Sequence, residues 1–444
     1  MNKNKIIFWI LGVILLWFVT YLVLNLANSN SRPATYSAGN LTIWLLEDDE
    51  NSFSEISQEF KATYPQYSSK TIKVESFDDE YTYNLALTNA FIQGTAPDIF
   101  MLSNTEESVL EYAARTIDPN RISPNDFRLN YKPVFSEDLI ISDDTDASQE
   151  YIIWIPFWYE TLWVIYNRKY FTRPSELETW SSLVSSINAL TEKSTAVVPV
   201  WLWNASSVGR YDQIISALLA LEWAKWIKTT GSNEVKQVLS FYKAFWERTG
   251  DNRYDILSAP LWRDNDIEFF AQGDIAAILG FPRDIMKIDE IGYQSSFLYA
   301  SPLPSYAGTP KTQAINYRYM VVNKDSQNSQ FAQDFLVYLS SEEGQSKISE
   351  VYPYYLPAHI AVETDLLERK IYPDFNIVYK NFVSDDTQFM SFNVGDNILY
   401  REKLYDILEM DSWYENAFTK AQWYIICSSN KSSSLLNLSS PCNK

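Results

Sequence analysis

The sequence predicts an α/β fold, and three observations carry the prediction. Strand-like and helix-like stretches alternate from Leu41 to Phe100 as strand, helix, strand, helix, strand, the order a doubly wound sheet requires. A second set of short apolar, β-branched and aromatic runs begins at Ile152, separated by helical stretches. The 444 residues suffice for two domains with separate cores, and 46% hydrophobic with 21% charged residues is a globular composition.

From the N-terminus, Ile6 to Leu26 is a nearly unbroken apolar run, long enough for the roughly 20 residues that cross a bilayer. Lys3 and Lys5 precede it, which predicts a retained single-pass helix with the N-terminus inside. A cleaved signal peptide is the alternative, although Ala27, Asn28 and Ser29 make a poor cleavage site. Asn28 to Asn40 would be a tether. Leu41 to Leu46 (LTIWLL) reads as the first buried strand. Glu47, Asp48, Asp49 and Glu50 follow at its carboxyl end, where ligands gather in open α/β sheets. Phe53, Ile56 and Phe60 recur at helical spacing, and that helix stops before Tyr64-Pro65. Thr71 to Phe77 alternates polar with apolar residues and predicts a strand. Tyr81 to Phe91 predicts a helix with Leu85, Leu87 and Phe91 as its apolar positions, closed by Gly94. The strand opened by Ala96-Pro97-Asp98-Ile99-Phe100 leads to Ser103 and Asn104, polar residues just past its end. Asp118 to Gln149 is rich in Asp, Ser, Pro and Asn and reads as irregular surface. Its cluster of Asp143, Asp144 and Asp146 lacks the Gly and closing Glu of an EF-hand calcium loop.

Ile152 to Phe171 (IIWIPFWYETLWVIYNRKYF) is the most informative stretch. Two strand-like runs, Ile152–Ile155 and Thr161–Tyr166, flank Pro156, which cannot donate to a ladder and predicts a break. Phe157, Trp158, Tyr159 and Glu160 then lie at the mouth of a strand pair. Aromatic rings with polar tips beside a carboxylate suit a sugar-sized or peptide-sized ligand. Further on, Ser175 to Leu190 predicts a helix, and Ala196 to Trp203 a strand with Trp201 and Trp203 on one side. Tyr211–Lys228 and Val235–Arg248 read as structural helices. Phe269 to Ile278 runs through Leu279-Gly280 into Phe281-Pro282-Arg283. Ile315 to Asn323 predicts a strand with Tyr317, Tyr319 and Val321 on one side and Arg318 and Met320 on the other. A helix pair from Phe331 precedes Tyr352-Pro353-Tyr354-Tyr355-Leu356-Pro357, whose tyrosines either face a cleft or pack a junction. Asn397–Leu408 and Ser412–Ile426 close as helices before a Ser-rich tail. In that tail Cys427 and Cys442 either close a loop, worth about 3 kcal/mol outside the cell, or remain two unpaired thiols.

The order of these segments resembles family 1 extracellular solute-binding proteins of ABC importers, the group that includes maltose-binding protein. The resemblance rests on LTIW with its acidic loop, GTAPDIF ending at Phe100, IP followed by YNRKYF ending at Phe171, Thr179-Trp180, FFAQGDIAAI with Gly280 and Phe281, YASPLP ending at Pro304, and the helix pair after Phe331. It spans Leu41 to Ile426. It implies a two-lobed periplasmic-binding-protein fold, type II-like, with lobes discontinuous in sequence and preceded by the N-terminal transmembrane helix. The expected lobes are residues 40–130 with 315–369, and 131–314 with 370–426. The resemblance also implies capture of a small solute between the lobes and delivery to an ABC permease. The departure from a family Trp at Phe281 bears on ligand identity.

Composition excludes several other functions. With 56 acids, 36 bases and a formal charge of −20, nucleic acid is a poor partner. The single histidine, His359, leaves no His-based metal cluster or Ser/His/Asp triad, and no nucleotide-binding glycine motif occurs. One enzyme class stays open, a glycoside hydrolase or lyase, which needs two carboxylates such as Glu47, Asp48 or Glu160 with aromatic platforms. The expected activity is instead binding without covalent change and without a cofactor. The expected ligand is a carbohydrate, with a polyamine or peptide as alternatives. The candidate contacts are Asp48, Asp49, Ser103 and Asn104 from the first lobe. Opposite them are Trp158, Tyr159, Glu160, Trp201, Trp203, Phe281 and Arg283.

Overall fold

The computed structural model describes residues 39–46, 50–104, 113–143, 146, 148–193, 197–202, 208–226, 238–239, 241–242, 265–292, 297–305, 312–369, 388–391, 401 and 404–405. Its first five elements follow the predicted order: β1 (Leu41–Leu46), α1 (Glu50–Thr63), β2 (Ile72–Phe77), α2 (Glu80–Gln93) and β3 (Ile99–Ser103). β1 lies between β2 and β3 and runs parallel to both, aligning Leu41 with Ile72 and Ile43 with Ile99. Phe53, Ile56 and Phe60 of α1 are fully buried, as their spacing requires. α2 differs from expectation: Tyr83, Leu87 and Ala90 turn inward, while Leu85 is 53% exposed. Tyr83 holds the inner face because its hydroxyl donates to the Met101 carbonyl at 2.6 Å and accepts from the Met101 N–H at 3.0 Å.

After β4 (Ala114–Arg115), the stretch expected to be irregular contains α3 (Pro124–Asn130), α4 (Pro133–Leu139) and a hairpin of β5 (Ile140–Ser142) with β6 (Glu150–Ile152). Each helix starts on a proline, whose missing N–H costs nothing in a first turn, and the Ser123 side chain caps α3. These local start signals prevail over the polar composition.

The chain continues through β7 (Ile155–Thr161), β8 (Trp163–Asn167), α5 (Trp180–Lys193), β9 (Val198–Trp201), α6 (Tyr211–Trp226), α7 (Asn265–Gln272), β10 (Ile275–Gly280), α8 (Pro282–Glu290) and β11 (Leu298–Pro302). It ends in β12 (Thr312–Asn323), α9 (Ser329–Ser340), α10 (Glu342–Val351), α11 (Ile360–Arg369) and β13 (Gln388–Ser391). Two main sheets result. The first has the order β13-β12-β3-β1-β2, with β4 and β7 also on β12; the second has the order β11-β8-β10-β9. Leu162 alone separates β7 in the first sheet from β8 in the second, so the chain crosses there. It returns between β11 and β12. The expected lobe ranges placed β7 and β13 with the second lobe. Both pair instead with β12, whose 12 residues offer enough backbone donors and acceptors for several neighbours.

β7 also corrects the expected break at Pro156, because the strand runs through it. The register with β12 shifts where Trp158 opposes Arg318 and Pro156 opposes Tyr319. Phe157 is thus the extra residue of a β-bulge, a place where strands tolerate proline. Gln345 Nε2 donates to the Pro156 and Phe157 carbonyls at 3.1 and 3.4 Å, satisfying this irregular backbone.

The apolar run Ile6–Leu26, Asp48, Asp49, Trp203, Cys427, Cys442 and the predicted helix Ser412–Ile426 lie outside the described residues, as do most of Val235–Arg248 and Asn397–Leu408. Among the described residues no helix is long and apolar enough to cross a membrane.

Candidate ligand-binding site

The crossing at Leu162 brings a polar and aromatic face to the junction of the two sheets. Strand alternation puts Trp158 and Glu160 of β7 on one face and Tyr159 on the other. In register, Trp158 opposes Arg318, Glu160 opposes Asn316, and Arg318 also opposes Ser103 of β3. The side chains form a chain of contacts. Ser103 Oγ donates to Asn316 Oδ1 at 3.2 Å, and Asn316 Nδ2 donates to Glu160 Oε1 at 3.3 Å. Arg283 reaches in from the first turn of α8, and its Nη2 lies 3.4 Å from the same Glu160 oxygen.

Glu160 is fully buried, and a carboxylate taken out of water needs such a countercharge. Arg283 retains 24% exposure and sits 5.2 Å from the Phe281 ring, so Phe281 forms the buried floor beneath it. Trp158 stacks on Tyr355, with ring centroids 3.9 Å apart and planes at 22°. Burial pushes the Tyr355 phenol up to about 12; Glu160 pushes the same way, while Arg283 and Arg318 pull back. The hydroxyl therefore stays protonated at neutral pH and can donate. The face thus combines an aromatic pair, one carboxylate, an amide and two guanidinium groups.

Of the residues expected from the sequence, the structure brings together Ser103, Trp158, Glu160 and Arg283, with Phe281 below. Of the other described candidates, Tyr159, Asn104 and Trp201 have their own partners away from this face. Tyr159 is fully buried on the opposite side of β7, where its hydroxyl donates to Glu363. Glu363 in turn pairs with Lys132 at 2.5 Å. Asn104 extends the ladder: its Nδ2 donates to the Ile315 carbonyl at 3.1 Å, and its Oδ1 accepts from the Tyr317 N–H at 2.8 Å. Both amide ends are engaged by backbone. Trp201 is buried in the second sheet, 6.2 Å from Phe269. Asn316, Arg318 and Tyr355 were not among the expected contacts. The visible signal for Arg318 was a charge at a strand position flanked by Tyr317 and Tyr319.

A concavity of about 700 Å³ lies among α1, α10 and α11. It is lined by Glu59, Glu343, Lys347, Glu350 and Asp365 among others, includes no aromatic side chain and shares no residue with the face above. Among the described residues no group of three or more His, Cys, Asp or Glu is placed to hold a metal ion.

The solved structures with a similar fold include the following two. An ABC substrate-binding protein from Listeria monocytogenes, in complex with cycloalternan, is 17% identical with a TM-score of 0.64, covering 88% of this chain and 98% of its own. A cyclic α-maltosyl-1,6-maltose binding protein from Arthrobacter globiformis is 13% identical with a TM-score of 0.64, covering 89% of this chain and 100% of its own. Both are binding proteins rather than enzymes. No curated protein matches the sequence. The family described as bacterial extracellular solute-binding protein matches residues 55–370, which is most of the chain. On that match, and with the fold in agreement, the chain belongs to the bacterial extracellular solute-binding proteins.

Proposed function

We propose that the protein captures a carbohydrate at the junction of its two sheets and delivers it to an ABC permease. The observation that carries the reading is the face formed by Trp158, Glu160, Asn316 and Arg318 with Tyr355 and Arg283. The Trp158–Tyr355 pair offers ring surface to the C–H face of a sugar. Glu160 accepts from hydroxyls, while Arg283, Arg318 and the Tyr355 hydroxyl donate to them. Ser103 takes part through Asn316. Two lobes, built on the two sheets and joined where the chain crosses at Leu162, close on the ligand, because only closure lets one solute meet both sets of groups. The cyclic glucans of the two similar structures support an oligosaccharide over a monosaccharide. Ile6–Leu26 anchors the body outside the membrane.

The test is isothermal titration calorimetry of the fragment starting at Asn40 with cycloalternan, cyclic α-maltosyl-1,6-maltose, maltohexaose and spermidine. Saturable binding of a glucan, with a matching rise in melting temperature, is the expected result. Binding of spermidine alone would overturn the carbohydrate reading, and ligand turnover would overturn the binding role. Full-length protein should fractionate with membranes, and deletion through Asn28 should release it.

A further inference from the structure

A cluster of buried charge holds the backbone that leads into Arg283. Arg210, in the turn before α6, is 6% exposed. Its Nε donates to the Leu279 carbonyl at 2.6 Å. Its two terminal nitrogens fork onto Asp266 of α7 at 3.3 and 2.5 Å. Its Nε also lies 3.5 Å from Asp284 Oδ2 of α8. The same Asp284 oxygen accepts from the Phe281 N–H at 2.8 Å. Asp266 and Asp284 are 1% and 3% exposed. The cluster therefore grips the backbone on both sides of Gly280, at the Leu279 carbonyl and at the Phe281 N–H. Arg283 begins two residues later, in the first turn of α8.

A buried ion cluster is a poor way to gain stability, since desolvation offsets most of the attraction. It does fix geometry, because a guanidinium fork satisfies its partners in one arrangement only. We infer that Arg210, with Asp266 and Asp284, is a positioning residue for the candidate site: it sets the Leu279–Phe281 turn and so holds Arg283 against Glu160 across the junction of the two sheets. The inference rests on the reading that Arg283 and Glu160 belong to the ligand site. The aspartates supply the charge that keeps Arg210 buried. Gly280 lets Asp284 approach, since a Cβ there would lie 3.1 Å from Asp284 Oδ2. Arg210 grips the Leu279 carbonyl, Asp266 and Asp284, which places the turn between it and Arg283.

The test uses Arg210→Lys, which keeps the charge and loses the fork. In the crystal structure of the ligand-free variant, the Arg283–Glu160 contact should open beyond the 3.4 Å seen here. With maltohexaose as probe, Arg210→Lys should weaken binding about tenfold, the scale of one charge-assisted hydrogen bond. In an Arg283→Ala background the same change should add no further loss. A merely structural role would give equal losses in both backgrounds. That result, or an unmoved Arg283 in the variant crystal, overturns the inference. Should Arg210→Lys not fold, Asp284→Asn carries the same cycle, since it retains an acceptor for the Phe281 N–H and removes the charge facing Arg210. If neither maltohexaose nor either cyclic glucan binds the wild-type chain, the carbohydrate reading fails on its own, and the crystallographic comparison still decides the positioning role.

Discussion

Neighbouring residues on β7 give the sharpest test of the site, because Tyr159 and Glu160 point to opposite faces of one strand. In Glu160→Gln the carboxylate that meets Arg283 at 3.4 Å and Asn316 at 3.3 Å becomes a neutral amide. Removing one partner of a buried pair costs about 3–5 kcal/mol when the other charge stays buried. Arg283, at 24% exposure, can turn to water, and glutamine keeps an acceptor for Asn316. The expected stability loss is therefore about 1–2 kcal/mol. Binding should suffer more. Loss of a charged acceptor for sugar hydroxyls is worth about 1.5–3 kcal/mol, or roughly 10- to 150-fold in Kd. Tyr159→Phe is the control. It removes the donor to Glu363 in the core and should cost about 1–3 kcal/mol of stability, with Kd within about twofold of wild type. Calorimetry with the bound glucan and urea unfolding read by tryptophan fluorescence supply the two axes. Equal affinity losses in both variants, or none in Glu160→Gln, would refute the assignment of the ligand to the Glu160 face.

Three further outcomes are expected. Trp158→Ala removes one ring of the pair stacked on Tyr355 and should weaken glucan binding by about 1–3 kcal/mol; unchanged calorimetry would take the aromatic pair out of the site. Gly280→Ala places a Cβ 2.8 Å from Ile165 Cδ1 and 3.1 Å from Asp284 Oδ2 and should destabilise by about 1–3 kcal/mol in urea unfolding, whereas a neutral result would show that the turn has slack. The third concerns His359, buried against Tyr131, whose pKa burial holds below the usual 6.5. A folded-state pKa below the unfolded one means the contribution is complete above pH 6.5 and lost as pH falls through the folded value. The only histidine resonance should therefore titrate below 6.5, and His359→Gln should flatten the fall in unfolding midpoint between pH 7 and 5.5. A midpoint above 6.5 would contradict this account.

Much of the fold was legible because it is written in local periodicity. The spacing of Phe53, Ile56 and Phe60 and the alternation of Thr71–Phe77 need only their own segment to declare helix and strand. The order of those segments carried the family resemblance. Trp158, Glu160, Ser103 and Arg283 were visible as polar or aromatic residues at strand and helix ends. What sequence could not supply was pairing between distant segments. Pro156 signalled a break, and reading residues 157–160 as a connection hid the alternation that separates Glu160 from Tyr159. Only β12, more than 150 residues away, turns that proline into part of a bulge and returns the segment to strand. Asn316 and Arg318 joined the face for the same reason, through register with β7 and β3. Tyr355 could equally have been packing, and stacking on Trp158 decided its place. Local propensity acts along the chain, whereas a binding face is made by contacts across it, so the sequence determined the elements and tertiary pairing determined which side chains meet.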